Sequence, residues 1–203
     1  MSACGLTILA KAPQLGQVKT RLATTLGPAA ALAIYGQLLA ATARAARGWG
    51  GTVRLLASGD AWAGTGLELL PRQPQPAGGL GTRIAAALAW GLEDHARAMV
   101  IGTDCPGLTA AHLAALAAAA SAVPVAFGPA CDGGFWGMAI ADRRALVALN
   151  DELPWSTPAI LAALRARLQD AGLGCALADV LPDCDEEPDW RAAVAAGLLP
   201  ELP

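Results

Sequence analysis

The chain alternates short apolar runs with longer segments, rich in alanine and leucine, whose apolar residues recur with a helical period. The short runs predict strands at 6–10, 53–57, 67–70, 98–102, 123–127, 135–140 and 175–181. The longer segments predict helices at 28–47, 82–97, 110–121, 142–149, 157–171 and 188–196. Near-continuous apolar runs are typical of strands covered on both faces, and their alternation with helices indicates a mainly parallel sheet. We therefore expect an α/β three-layer sandwich.

Composition narrows the class of protein. The 203 residues are 55% hydrophobic and 15% charged, with a formal net charge of -3. This length predicts a single domain over 1–203, and the apolar content excludes a disordered chain. The small negative charge argues against binding nucleic acid through a basic face. Only two histidines are present, which excludes a three-histidine zinc site.

The cysteines and the apolar segments predict a cytoplasmic protein. None of the five cysteines has C-x-x-C spacing, so neither a zinc ribbon nor a thioredoxin-type site is indicated. The first residues lack the basic start and long apolar middle of a signal peptide. The most apolar stretch, 113–127, is mostly alanine and contains Ser121 and Pro124, which favours a buried helix followed by a strand. We expect reduced thiols and no membrane span.

A segment that contains both lysines of the chain follows the first predicted strand. In parallel sheets, ligands bind at the carboxyl ends of the strands. Lys11, Gly16, Lys19 and Arg21 lie in this segment, and ammonium and guanidinium groups on a flexible loop suit the phosphates of a nucleotide. The segment matches neither G-x-x-x-x-G-K-[ST] nor G-x-G-x-x-G. We interpret it as a phosphate-binding loop, with a solvated surface loop as the alternative.

Two carboxylates after other strands are candidate metal ligands. Asp104 follows the strand at 98–102, and Pro106 disfavours helix next to it. Asp185 follows the last strand, and Asp183 is the second choice there. Mg²⁺ and Mn²⁺ prefer oxygen ligands and are commonly held by one or two carboxylates together with substrate phosphates. The neighbouring acidic residues at 186, 187 and 189 are interpreted as charges that favour the start of a helix.

Three further segments contain candidate ligand contacts. Asp132-Gly133-Gly134 indicates a tight turn, and Asp132 and Trp136 beside it either face a ligand or serve the fold. Gly81 and Arg83 lie at a glycine-rich helix start whose exposed amides suit an anion or a nucleobase edge. Trp155 and Ser156 precede Pro158, where Ser156 is a reasonable helix cap.

In this order, the segments resemble a bacterial family of the GT-A-type nucleotide-diphospho-sugar transferase superfamily, whose members include proteins assigned to arsenosugar biosynthesis. The matching stretches are 11–22, 78–84, 101–109, 128–136 and 155–157. The family is also distantly similar to the molybdenum-cofactor and phospholactate nucleotidyltransferases. The resemblance implies a Rossmann-like nucleotide-binding sheet and a divalent ion held by Asp104.

The chain departs from the family pattern at three places. The last motif, usually Asp-x-Asp-Thr-Pro-x-Asp, has its proline displaced by one residue to Pro188, which changes the expected aim of Asp185. Gly79 stands where an aspartate is common, and Phe135 stands where tyrosine is frequent.

The resemblance and the residues together predict a metal-dependent transferase that uses a nucleotide-sugar donor and a small-molecule acceptor. The alternatives are a nucleotidyltransferase that releases pyrophosphate and a non-catalytic nucleotide-binding module. We expect Lys11, Lys19 and Asp132 to act in catalysis, and Asp104 and Asp185 to hold Mg²⁺ or Mn²⁺. The expected nucleotide contacts are Lys11, Gly16, Lys19, Arg21, Gly81, Arg83, Trp136, Trp155 and Ser156. The base, the sugar and the oligomeric state are not predicted.

Overall fold

A computed structural model describes residues 4–202 and contains a seven-stranded sheet. The strands are β1 (Cys4–Lys11), β2 (Val53–Ser58), β3 (Arg72–Pro74), β4 (Arg97–Ile101), β5 (Val125–Pro129), β6 (Phe135–Ile140) and β7 (Cys175–Leu177). Their order across the sheet is β3-β2-β1-β4-β6-β5-β7, and β6 runs antiparallel to both of its neighbours while the other pairings are parallel. The mainly parallel sheet is therefore confirmed.

Helices cover both faces of the sheet. They are α1 (Thr20–Leu26), α2 (Pro28–Trp49), α3 (Leu80–Gly91), α4 (Ala110–Ala122), α5 (Ile160–Asp170) and α6 (Glu187–Ala195), with a 3-10 helix at Arg143–Ala148. On one face, Leu39 of α2, Leu116 of α4 and Ile8 of β1 belong to one core cluster. On the other, Leu88 of α3 and Leu164 of α5 belong to a second core cluster. This arrangement is the expected three-layer sandwich.

A third cluster of apolar side chains brings the two ends of the chain together. Leu22 of α1 and Leu38 of α2 are fully buried against Trp190 of α6 and Cys184. The cluster lies beside the main core and joins the segment that bears Lys19 to the segment that bears Asp185. Burial of these apolar groups is what fixes the relative position of the two segments.

Helix α2 is the one described helix that is long and apolar enough to cross a membrane by length and composition. Of its most apolar window, 56% is buried inside the protein. The stretch predicted to form a buried helix and a strand, 113–127, contains most of α4 and the start of β5, and Leu113 and Phe127 are fully buried.

Several predicted boundaries are wrong. Residues 67–70 form a turn, in which Leu67 is buried and Leu69 is 94% exposed, and the strand begins at Arg72. The turn is stabilised by the Thr65 hydroxyl, which accepts the Leu67 N–H at 3.2 Å. Helix α3 ends at Gly91, well before the predicted 97, because Arg97 already belongs to β4.

Three other elements differ from prediction. The segment predicted as a loop, 11–22, ends inside helix α1, which begins at Thr20, so Arg21 lies on a helix and Lys19 is its N-cap. Helix α5 begins at Ile160 rather than at 157, so Thr157 and Pro158 also lie in the preceding loop, with Trp155 and Ser156. The last strand stops at Leu177, and Leu181 adds an isolated parallel bridge to Ala130.

Candidate functional site

A cleft of about 620 Å³ opens at the carboxyl ends of the parallel strands. It is lined by the last residues of β1 and β4, including Lys11 and Ile101, and by the first residues of β6, Phe135 and Trp136. Because β6 is antiparallel, its first residues meet the last residues of its neighbours at one edge of the sheet. This is the edge at which open α/β sheets bind ligands.

The ammonium of Lys19 bridges two carboxylates from distant parts of the chain. Its Nζ lies 2.5 Å from Oδ1 of Asp104 and 2.7 Å from Oδ1 of Asp185. The Lys19 side chain is only 7% exposed, whereas those of Asp104 and Asp185 are 51% and 36% exposed. The carboxylates therefore enclose the ammonium on their inner side and present their outer side to the cleft.

The backbone brings these three residues together in two ways. The Cys184 N–H donates to the carbonyl oxygen of Asp104 at 2.9 Å, which joins the segment after β4 to the segment before α6. The Asp189 carboxylate accepts the N–H groups of Asp185 and Glu186 at 3.1 and 2.8 Å. These bonds set the aim of Asp185 despite the displaced proline. Glu186, Glu187 and Asp189 form the N-terminus of α6, as predicted.

The environment keeps Lys19 charged. Burial by itself would lower the pKa of Lys19, but the adjacent carboxylates of Asp104 and Asp185 outweigh burial and raise the pKa well above its usual value. Burial, reinforced by Asp104, also raises the pKa of the neighbouring Cys105 thiol far above its usual range. Cys105 is therefore a neutral thiol and not a nucleophile.

Lys11 and Arg21 are the other basic residues that line the cleft near Lys19 in the sequence. The Tyr35 hydroxyl donates to the Lys11 carbonyl at 2.8 Å and accepts its N–H at 3.3 Å, which fixes the end of β1. The Lys11 side chain itself is exposed on the cleft wall. Arg21 Nη1 lies 3.6 Å from Oδ2 of Asp185. Gly16 is in the exposed loop between Lys11 and Lys19 and does not line the cleft.

Asp132 and Asp183 form an acidic wall of the same cleft. Asp132 lies in the predicted turn, where its Oδ1 accepts the Gly134 N–H at 2.8 Å. Burial first, and the charge of Asp132 second, raise the pKa of Asp183. The two carboxylates are thus close enough for the charge of one to disfavour ionisation of the other.

Arg83 lines the cleft and is oriented by a residue that the sequence did not single out, Gln75. Arg83 Nη1 donates to Gln75 Oε1 at 3.3 Å, and Arg83 Nε is buried without a hydrogen-bond partner among the described residues. No described carboxylate forms an ion pair with Arg83. Gln75 follows the short edge strand β3, where its only signal in the sequence is a polar residue after a strand.

The glycine-rich start of α3 already has an anion bound to it, and that anion belongs to the chain. The carboxylate of Asp151 accepts the N–H groups of Gly79 and Thr82 at 2.9 and 3.0 Å, and the Thr82 hydroxyl at 2.7 Å. A Cβ at Gly81 would lie 2.6 Å from the Asn150 carbonyl oxygen, so Gly81 serves close packing. The expectation of free amides at this helix start is wrong, because the Asp151 carboxylate accepts the N–H groups of Gly79 and Thr82.

The two tryptophans form walls of the cleft. Trp136 is 4% exposed, and its indole N–H donates to the Asp179 carbonyl at 3.0 Å. Trp155 donates from its indole to the Asn150 carbonyl at 2.7 Å, and its ring meets Phe135 edge-on. Ser156 lines the cleft with a left-handed backbone, φ 59°, and does not cap α5, whose N-cap is Ala159.

The donor set at Asp104 and Asp185 suits a hard divalent cation. Both carboxylates contact one ammonium, so a single ion at that position would reach both of them. Within residues 4–202, no group of three or more His, Cys, Asp or Glu side chains is arranged to hold a metal ion. Any remaining ligands would have to be water or substrate phosphate, as is usual for Mg²⁺.

The fold is similar to those of several solved structures. A protein from Desulfovibrio desulfuricans G20, assigned as a nucleotide-diphospho-sugar transferase, is 21% identical, with a TM-score of 0.87 over 97% of this chain and 88% of its own. A nucleotidyl transferase from Methanothermobacter thermautotroptrophicus is 14% identical, with a TM-score of 0.59 over 96% of this chain and 97% of its own.

A third structure is more distant. Glucosyl-3-phosphoglycerate synthase from Mycobacterium tuberculosis, in complex with Mn²⁺, UDP and glucosyl-3-phosphoglycerate, is 11% identical, with a TM-score of 0.50 over 96% of this chain and 77% of its own. These likenesses confirm the expected fold of the nucleotide-diphospho-sugar transferases. Among curated proteins, no sequence matches this chain significantly.

A family profile matches residues 36–157, which is more than half of the chain and includes the Asp104, Asp132 and Trp155 segments of the cleft. The chain belongs to the family DUF2064, described as "Uncharacterized protein conserved in bacteria".

Proposed function

We propose that the protein is a metal-dependent transferase that moves a glycosyl group from a nucleotide-diphospho-sugar to a small-molecule acceptor. The observation that supports it most is the meeting of Lys19 with Asp104 and Asp185 in a cleft that also contains Lys11 and Arg21. Such a site offers cationic groups to a diphosphate and carboxylate oxygens to a divalent ion. The Mn²⁺ and UDP in the mycobacterial synthase support the same assignment.

In this reaction the acceptor oxygen forms a bond to the anomeric carbon while the bond from that carbon to the diphosphate oxygen breaks. The electron pair leaves with the nucleoside diphosphate, whose negative charge increases. Lys11, Lys19 and Arg21 stabilise that charge, and Mg²⁺ or Mn²⁺ held by Asp104 and Asp185 supplies further charge stabilisation when bound.

Asp132 is assigned to the acceptor side. It lines the cleft, and none of the ion pairs among the described residues includes it. The Gly134 N–H donates to its Oδ1 and does not use its second carboxylate oxygen. It is therefore available to take the proton of the acceptor hydroxyl or to hold a sugar hydroxyl. Arg83, oriented by Gln75, is assigned as a contact to the nucleotide.

The second candidate is nucleotidyl transfer, in which a phosphorylated acceptor attacks the α-phosphate of a nucleoside triphosphate and pyrophosphate leaves. The likeness to the archaeal nucleotidyl transferase favours it, and the same cations would serve the departing pyrophosphate. A non-catalytic nucleotide-binding module is the third candidate.

A thermal-shift panel tests these proposals. Nucleoside diphosphates, triphosphates and nucleotide-sugars are each added with and without Mg²⁺ or Mn²⁺. A ligand at 100 times its dissociation constant adds about 2.7 kcal/mol of stability, which is readily measured. Stabilisation by a nucleotide-sugar that needs the metal supports glycosyl transfer. Preference for a triphosphate, with pyrophosphate release, supports nucleotidyl transfer. Nucleotide binding that is unchanged when a chelator removes the metal contradicts both transferase proposals.

A further inference from the structure

The position expected for a metal ion is taken by a group of the chain itself. Lys19 Nζ contacts Oδ1 of both Asp104 and Asp185, at 2.5 and 2.7 Å, with its side chain 7% exposed. A divalent ion that bound the same two oxygens would lie against the ammonium, and like charges at contact distance repel strongly in a partly buried site. The ammonium and the metal ion therefore compete for the same two carboxylates.

The backbone of Lys19 indicates that its place depends on these ion pairs. Lys19 has φ 46° and ψ 50°, a left-handed conformation that is unfavourable for a residue with a Cβ. As the N-cap of α1 it makes no side-chain capping bond that would compensate. Its contacts with Asp104 and Asp185 oppose this cost, so Lys19 is held in place by carboxylates with which an anionic ligand can compete for the ammonium.

The surroundings offer Lys19 an alternative partner. The outer sides of Asp104 and Asp185 face the cleft, with 51% and 36% exposure, and Lys11 stands in the same cleft. Lys19 also lines this cleft, so a phosphate group bound in the cleft would offer oxygens that can accept from its ammonium. Phosphate oxygens would also complete the ligand set of a divalent ion.

We infer that Lys19 is the resident cation of the Asp104–Asp185 pair in the free protein, and that a divalent ion replaces it only when a ligand phosphate accepts the Lys19 ammonium. The inference rests on the proposed function, since it assigns the order in which that site takes its ligands. Lys19 then blocks the metal site in the free protein, and it contacts the ligand phosphate once the divalent ion has replaced it. Metal alone is then a poor ligand of the free protein.

Mn²⁺ binding without nucleotide tests the inference directly. Free Mn²⁺ is followed by electron paramagnetic resonance in titrations of the wild type, of Lys19→Met and of Lys11→Met. We expect Lys19→Met to bind Mn²⁺ at least tenfold more tightly than the wild type, and Lys11→Met, which removes the same charge from the same cleft, to match the wild type. Equal affinity in the wild type and Lys19→Met overturns the inference, as does equal tightening in both variants.

A wild-type measurement covers the case in which Lys19→Met does not fold. The chain has two lysines, so the ¹⁵N spectrum of its side-chain ammonium groups contains at most two signals. The signal of the buried Lys19 ammonium should be unchanged by millimolar Mg²⁺ alone and should shift when inorganic pyrophosphate is added with Mg²⁺. A shift with Mg²⁺ alone overturns the inference. Failure of every nucleotide to bind would contradict the proposed function and leave the Mn²⁺ result standing.

Discussion

Gln75 orients the guanidinium of Arg83 through an amide whose own direction is fixed. Its Nε2 donates to the carbonyl oxygens of Ala10 and Leu56 at 2.8 and 3.2 Å, and its Oε1 accepts from Arg83 Nη1 at 3.3 Å. Since both acceptors are backbone carbonyls, the amide nitrogen must face them and the amide oxygen must face Arg83. The ends of β1 and β2 thus determine where Arg83 stands in the cleft.

Replacing Gln75 by alanine should weaken nucleotide binding about tenfold, because a hydrogen bond to a charged group contributes about 1.5 kcal/mol and tenfold corresponds to about 1.4 kcal/mol. Isothermal titration calorimetry measures the dissociation constant, with the nucleotide that gives the largest stabilisation in the thermal-shift panel. Gln73→Ala, an exposed glutamine on β3, is the matched control and should bind as the wild type does. If Gln75→Ala and Arg83→Ala together cost as much as the sum of the single variants, the positioning role is contradicted.

Asp104→Asn should abolish metal-dependent turnover while changing the melting temperature little. The Asp104 side chain is 51% exposed, the amide oxygen of its asparagine replacement can still accept from the Lys19 ammonium, and the ion pair between Lys19 and Asp185 at 2.7 Å remains. Turnover is followed by release of the nucleoside diphosphate, and stability by thermal unfolding. The exposed Asp179→Asn is the control and should retain turnover. Full turnover of Asp104→Asn would remove Asp104 from the metal site.

Asp151 should make stability depend on pH in the acid range. Hydrogen bonds from the Thr82 and Gly79 backbone hold the pKa of Asp151 below its ordinary value of 3.8. A carboxylate with a depressed folded-state pKa stabilises the fold above its unfolded pKa, and this contribution is lost as pH falls through the folded pKa. Its neighbour Glu152 instead faces Arg167.

The comparison of Asp151→Asn with the wild type measures this contribution. The variant should melt at a lower temperature at pH 7, and the difference should shrink steadily below pH 3.8 as the wild-type carboxylate is protonated. A difference that is independent of pH would mean that the charge of Asp151 does not matter to the start of α3.

Gly128→Ala should destabilise the protein by about 1–3 kcal/mol, the usual range for overpacking a core. A Cβ at Gly128 would overlap the indole of Trp136, which the Asp179 carbonyl holds in place. Gly36→Ala in α2 is the opposite control, since a Cβ there meets nothing within 4 Å and alanine favours a helix over glycine by about 1 kcal/mol. Denaturant unfolding should separate the two variants in sign, and a tolerated Gly128→Ala would show that Trp136 is free to move.

The secondary structure was predictable where local pattern and tertiary packing agree. The strands β1, β2, β4 and β6 are mostly apolar, and α2 and α4 have long runs of strong helix formers. The predictions were wrong for α1 and β3, the short elements. Seven residues in α1 and three in β3 carry too little pattern of their own, and packing and edge pairing decide their structure.

The candidate site was predictable as a set of segments but not as a set of contacts. Lys11, Lys19, Asp104 and Asp185 follow strands in the sequence, and the carboxyl ends of parallel strands meet at one edge, so their proximity follows from the pattern. Asp151, which binds the amides at Gly79, has no such signal, because its partner lies far away in the chain. Gln75 does follow a strand, but β3 was not predicted at that place, so this signal could not be used.

The amino-acid sequence by itself determined the α/β class, the mainly parallel sheet and the edge at which charged side chains collect, because these depend on local periodicity and on the residue types after each strand. The tertiary structure alone decided that the ammonium of Lys19 sits between Asp104 and Asp185. That contact depends on distances between side chains far apart in the chain, which the packing of α1, α2 and α6 fixes and which no local pattern encodes.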